Sequence, residues 1–205
     1  MYKRQILPDD FAVLELSSFQ LHSMDCRPDV AVITNISPNH LDKHKDYQDY
    51  IDAKSAIFAK QTPGDRLVLN LGDGHTPYYE SLAHSSIYYF TDDKFIENGS
   101  CCVNGEIYRF GRRLMHEDEI KLPGKHNVQN YLAAFTAVEG LVSDENCRRV
   151  ATSFGGVEHR IELVRTYKGV RYYNDSIASS PSRTIAGLRS FQELSLIHIS
   201  EPTRH

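Results

Sequence analysis

Apolar residues recur along this chain in short runs separated by polar, turn-rich stretches. Ala12, Val13, Leu14 and Leu16 read as a short buried strand, bounded by Asp9 and Asp10 before it and by Ser17 and Ser18 after it. "DVAVITNIS" (29–37) is a second, β-branched run that ends in "SPNHLDKH". From Tyr47 to Gln61 the spacing turns helical, with Tyr47, Tyr50, Ile51, Ala53 or Lys54, Ile57 and Phe58 on or near one face. "PGDRLVLN" (63–70) reads as a turn and a strand, "PYYESLAH" as a short helix, and "SIYYF" (86–90) as a strand. "CCVNGEIYRF" (101–110) predicts a hairpin turning at Asn104-Gly105. A glycine-containing loop at 122–126 runs into a helix with Asn127 as candidate N-cap, and Ser143 or Asp144 caps a further helix over 143–154. The Gly155-Gly156 pair marks a break. Residues 161–175 read as two strands joined at Lys168-Gly169, and 180–191 as a helix with Pro181 in its first turn. Strands alternating with helices predict an α/β fold.

Glu15 interrupts the first apolar run. A carboxylate in a core strand must be paired, protonated or bound to a cation, because an uncompensated buried charge costs several kcal/mol or more. Composition narrows the setting. The 205 residues suffice for one large or two small domains, and 40% hydrophobic content supports a packed core. A net charge of −4 argues against a surface built for nucleic acid. No apolar run reaches membrane-spanning length, and there is no secretory apolar region. Cys26, Cys101, Cys102 and Cys147 show neither C-x-x-C pairing nor zinc spacing, which predicts free thiols in a cytoplasmic protein.

The two ends look foreign to the rest. One codon choice for Met1–Gln5 is ATG TAT AAG AGA CAG, whose reverse complement encodes Leu-Ser-Leu-Ile-His, the residues at 194–198. Both ends can arise from one DNA element resembling a transposon-type sequencing adaptor. Residues 1–5 and 194–205 are therefore expected to be non-native.

Three candidates for chemistry lie in the first third. Glu15 ends a strand, His40 follows the end of the next, and Lys54 lies on the following helix. In α/β sheets ligands bind beyond the carboxyl ends of strands, so parallel neighbours would bring Glu15 and His40 to one edge. A hard carboxylate oxygen suits Mg²⁺, and a histidine can complete a second site. Each residue alone also has an ordinary reading: a solvent-facing strand end, a loop histidine and a solvated helix lysine.

"LELSSFQL", "TNISPNHLDKH", "YIDAKSAIF", "GKHNVQNYLAA" and "EHRIELV…YYNDSIASSP" occur in this order. Together they closely resemble the Mur ligases over residues 7–193, and the "ELSSFQL" form is similar to the branch that adds D-glutamate. The resemblance implies a central ATPase domain over 6–157, a mostly parallel sheet flanked by helices with a small hairpin region. It implies that the start of a Rossmann-like C-terminal domain follows over 158–193. It implies a cytoplasmic monomer with ATP, D-glutamate and UDP-N-acetylmuramoyl-L-alanine as substrates and two Mg²⁺ ions. Glu15 would bind the Mg²⁺ bridging the ATP phosphates and His40 the second. Lys54 matches a lysine that becomes carbamylated, which requires a neutral amine, so its site should depress the lysine pKa or trap the product. Asn127, Asn130, Arg160 and Asp175 would contact the nucleotide, although simple capping by Asn127 is compatible. Ser17 and Gln20 would touch the nucleotide-sugar, with a polar turn as the alternative, and Ser179 would touch D-glutamate.

Ile177 departs from the many family members that carry Lys at that position, so a phosphate-pairing role there does not transfer. The phosphate cradle G-x-x-x-x-G-K-[ST] is also absent, the only "GK" being in "PGKHN". The expectation from sequence is that the parent protein is the ligase and that this polypeptide is inactive. The rivals are a sibling amide ligase or a folate polyglutamating enzyme, a metal-dependent hydrolase using Glu15, His40 and carboxylates such as Asp42, and a binding fragment without chemistry.

Overall fold

A computed structural model of the chain describes residues 7, 9–36, 44–178 and 181–191. It divides into two compact units, 1–67 with 73–87 and 68–72 with 88–205. One six-stranded sheet has the order β1 (Val30–Ile33), β2 (Arg66–Asn70), β3 (Ser86–Thr91), β4 (Gly99–Val103), β5 (Glu106–Arg109), β6 (Arg112–His116). Helices α2 (Tyr47–Ser55) and α3 (Thr76–Leu82) intervene between β1, β2 and β3, the βαβ arrangement of parallel strands. β3 and β4 run parallel, whereas β4, β5 and β6 form an antiparallel meander. The fold is therefore α/β, as the alternation of elements predicts.

The first unit opens with α1 (Ser18–Ser23) and buries Leu21, Ala31, Ile33, Tyr50, Ile51, Ala53, Phe58 and Tyr79. Phe58 meets Tyr79 edge to face, and the Tyr79 hydroxyl donates to the Ile51 carbonyl at 3.1 Å. The second unit packs α4 (Lys125–Ala137) against β4 and β5, and α5 (Asp144–Ser153) against β6. Its core includes Phe90, Cys101, Ile107, Met115, Leu132 and Phe135. A separate hairpin, β7 (Glu162–Tyr167) and β8 (Val170–Asn174), turns at Lys168-Gly169 and is followed by α6 (Pro181–Leu188). Among the described residues no helix is long and apolar enough to cross a membrane. All four cysteines carry free thiols.

Three expectations are corrected. Residues 11–17 are not a buried strand: they form no ladder, Val13 is 94% exposed, and Glu15 is exposed with them. A strand exists through its hydrogen-bonded neighbour, and no described strand pairs with this run. The helix over 47–61 stops at Ser55, because Ile57 and Phe58 donate to carbonyls three residues back and tighten the chain into turns. The N-cap of α4 is Gly124 at φ 101°, not Asn127. Asn127 lies inside the first turn, and its side-chain amide donates back to the Pro123 carbonyl at 2.7 Å. β6 is an addition, since the sequence reading assigned no strand there.

Candidate functional site

The residues singled out by sequence fall in both units. In the first unit, Ser17 is the N-cap of α1 and closes a capping box with Gln20. The Ser17 N–H and hydroxyl both donate to Gln20 Oε1, at 2.8 and 2.9 Å. The two candidate substrate contacts are thus paired with each other. Glu15, two residues upstream, is exposed and forms no hydrogen bond or ion pair among the described residues. His40 lies outside the described residues, as does Ser179.

Lys54 sits in the last turn of α2, half-buried, with Nζ 5.2 Å from the centre of the Tyr50 ring. Burial pushes its ammonium below the ordinary lysine range. The helix owes its position to Asp46, whose side chain accepts the Asp49 N–H at 2.8 Å.

Sequence reasoning passed over the polar groups around these residues. The His44 side chain is fully buried between the ends of α1 and α2, stacked on Phe19 at 5.1 Å and edge-on to Tyr50 at 5.3 Å. Its Nε2 meets the Ser18 hydroxyl at 2.9 Å and its Nδ1 meets Asp49 Oδ2 at 3.1 Å. The hydrogen bond from His44, with one from the Lys45 N–H, holds the Asp49 carboxyl below the usual range. Beyond β2, Asp73 accepts the Ile36 N–H at 2.7 Å and bonds His75 Nδ1 at 2.9 Å; His75 Nε2 lies 3.4 Å from the Tyr47 hydroxyl. The one signal in sequence for these groups is the density of histidines and aspartates on either side of the second strand.

In the second unit the candidate nucleotide contacts gather around the start of α4. Asn127 is buried, and the Asn130 amide donates toward its Oδ1 at 3.5 Å. His126 is the point of convergence. Burial pushes its imidazole below the ordinary range, Arg160 pushes it further, and Asp175 partly offsets both. Arg160 is exposed, whereas Asp175 Oδ1 accepts the Ile161 N–H at 3.1 Å. α6 approaches so closely that a Cβ on Gly187 would lie 2.8 Å from Asp175 Oδ2. Arg160 and Asp175 thus share one neighbourhood with the helix that carries Asn127 and Asn130. Nearby, a cavity of ≈ 390 Å³ is lined by Asp92, Cys102, Glu117 and Lys125 among others. Burial and the adjoining Glu117 push the Cys102 thiol up to about 12, which disfavours its thiolate.

Comparison with known proteins gives these groups a context. Residues 6–138 match the Mur ligase middle domain. The UDP-N-acetylmuramoylalanine–D-glutamate ligase of Clostridium botulinum (strain Alaska E43 / Type E3) is 49% identical over 189 residues, covering 92% of this chain and 41% of that protein. The ligase of the same name from Clostridium perfringens is 48% identical, with the same coverage. The chain spans about two-fifths of the length of these relatives. Among solved structures, MurF from Acinetobacter baumannii superposes with a TM-score of 0.62 at 21% identity, over 78% of this chain and 36% of that one. MurF from Thermotoga maritima in complex with ADP gives 0.60 at 17% identity, over 85% and 42%. At those identities the likeness is one of fold. The family match over 6–138, with relatives at nearly half identity across nine-tenths of the chain, shows that this chain belongs to the Mur ligase family.

Proposed function

We propose that the chain is part of an ATP-dependent amide ligase that joins D-glutamate to UDP-N-acetylmuramoyl-L-alanine in peptidoglycan precursor synthesis. The names and identity of the clostridial relatives support this reading. In the reaction the substrate carboxylate attacks the γ-phosphoryl group, giving an acyl phosphate and ADP. The amine of D-glutamate then displaces phosphate, and an amide bond forms.

The observation that carries the reading at the site is the half-buried Lys54 with its depressed pKa. A lysine so placed is neutral more often than an exposed one. Its amine lone pair attacks CO₂, the nitrogen gives up a proton to water, and a carbamate anion results. Glu15 offers a second hard oxygen donor, open to solvent. This donor chemistry fits Mg²⁺. Glu15, His40 and the Lys54 carbamate would hold two such ions, which when bound neutralise charge on the phosphates. Ser17, Gln20 and Ser179 are assigned to the acceptor substrate and D-glutamate, and Asn127, Asn130, Arg160 and Asp175 to ATP. Residues 6–157 are assigned to the middle domain and 158–193 to the start of the next, in a cytoplasmic monomer.

Two measurements test this. Under ¹³C-labelled bicarbonate, ¹³C NMR of the chain should show a carbamate resonance that Lys54→Gln abolishes; its absence from the unmutated chain removes the role given to Lys54. In the full-length ligase bearing this segment, ADP release should require both D-glutamate and UDP-N-acetylmuramoyl-L-alanine. Preference for another amino acid would reassign it to a sibling ligase.

A further inference from the structure

We propose that His22, His44 and Asp49 form a further cation site, outside the residues assigned to Mg²⁺, that takes a borderline transition-metal dication such as Zn²⁺. His22 stands in the last turn of α1, His44 before α2, and Asp49 in the first turn of α2. Their donor atoms all lie within 4.8 Å of one another. His44 Nδ1 is 3.1 Å and His22 Nε2 3.8 Å from Asp49 Oδ2. The edges of a tetrahedral site with bonds of about 2.0–2.1 Å measure roughly 3.3 Å. The His44–Asp49 edge is therefore already close to length. The His22–Asp49 edge, and the His22–His44 edge within 4.8 Å, close through a rotation of His22, whose side chain is 46% exposed. The two imidazole rings lie 5.4 Å apart.

The surroundings complete the argument. A metal-bound histidine keeps its tautomer through a partner on its other nitrogen. Ser18 supplies that partner at 2.9 Å, buried beside His44. Without metal, the Ser18 hydroxyl donates to Nε2 and the Nδ1 proton goes to Asp49. With metal, Nδ1 releases its proton to solvent and offers its lone pair, while Nε2–H donates to the Ser18 oxygen. A hydroxyl serves either state by rotation. Phe19 and Tyr50 fix the ring, so its orientation is built in before any ion arrives. Two imidazoles with one carboxylate favour Zn²⁺, Co²⁺ or Ni²⁺ over Mg²⁺. Exposed His22 gives the entry path, and a fourth position is left for water. The ion would clip the end of α1 to the beginning of α2.

The test is titration of the metal-free full chain with Co²⁺, read by visible d–d absorption. One equivalent should give bands of tetrahedral intensity, which Zn²⁺ abolishes and excess Mg²⁺ does not. His22→Ala alters an exposed side chain, so circular dichroism should be unchanged. Its affinity should fall by more than the roughly 10- to 100-fold that loss of an outer partner costs, and Ser18→Ala should fall within that range. Glu15→Gln should bind Co²⁺ as the parent does. Absence of saturable bands, binding unchanged by His22→Ala, or binding lost in Glu15→Gln would each overturn the proposal.

Discussion

The two hairpins of the second unit share a turn and differ in almost everything else. Asn104-Gly105 has φ 52° and 82°, and Lys168-Gly169 has φ 49° and 80°. Both are the left-handed pair that matches strand twist in a two-residue loop. Yet in β4–β5 Cys101 and Ile107 are fully buried, whereas in β7–β8 Leu163, Val164, Tyr167 and Val170 are 51, 62, 47 and 55% exposed. The first hairpin gains a third strand, β6, and a covering helix, α4; the second is a two-stranded sheet. Turn chemistry is sufficient to set a hairpin's register, but its contribution to the core depends on what lies across it.

Arg109 makes the difference most visible. It is 1% exposed on β5, donates to the Phe135 and Val142 carbonyls at 3.0 Å each, and pairs with Asp144 and Glu139. Arg109→Ala removes a buried side chain and the donor to the Phe135 and Val142 carbonyls, while Arg112 still pairs with Asp144 and Glu139, and should cost about 3–5 kcal/mol in urea denaturation. Arg165→Ala, on exposed β7, should stay within about 0.5 kcal/mol. Equal effects would erase the contrast. Next in size, Ile107→Ala should cost about 2–5 kcal/mol. Val164→Ala, by comparison, should stay within about 0.5 kcal/mol.

The turns themselves separate less. Both glycines hold left-handed backbone, so alanine strains each by about 1–2 kcal/mol. At Gly105 the added Cβ would also lie 2.5 Å from His116 Nε2, while at Gly169 it meets nothing within 4 Å. Gly105→Ala should therefore exceed Gly169→Ala by up to about 1 kcal/mol, the cost of moving the His116 ring aside, read as the gap between their denaturation midpoints. The smallest effect is in acid. Burial pushes the Asp144 carboxyl up, but hydrogen bonds from Arg112 and Arg109 outweigh it and hold it below its ordinary value. A depressed folded pKa contributes stability that is present above the unfolded value and lost as pH falls through the folded one. Asp144→Asn should flatten that part of the acid limb of the stability curve; an unchanged limb would assign it to other carboxylates.

What was legible in the sequence was local. Both hairpin turns, the Ser143 cap and the helix beginning at Pro181 are written in neighbouring residues. β6 was not, because its two buried residues, Leu114 and Met115, are adjacent rather than alternate, and β5 carries a register shift opposite them. The run at 12–16 has strand composition, but composition does not supply a pairing partner. At the site, Lys54 alone reads as a solvated helix lysine, and only the family resemblance points to a lowered pKa there. His44 was not, because "LDKHKD" reads as a polar loop, and the Ser18 that completes its environment stands 26 residues away.

The Ser17–Gln20 box has a thermodynamic consequence. Each side chain is the other's partner, so a ligand that takes over the Ser17 hydroxyl proton or Gln20 Oε1 competes with the pair and loosens the cap of α1. Ligand affinity is then a difference between two sets of hydrogen bonds, and fraying of the helix becomes part of the binding equilibrium. Groups that both donate and accept are selected over those that do only one. Helix α1 thereby becomes a reporter: amide exchange in its first turn should track occupancy, residue by residue.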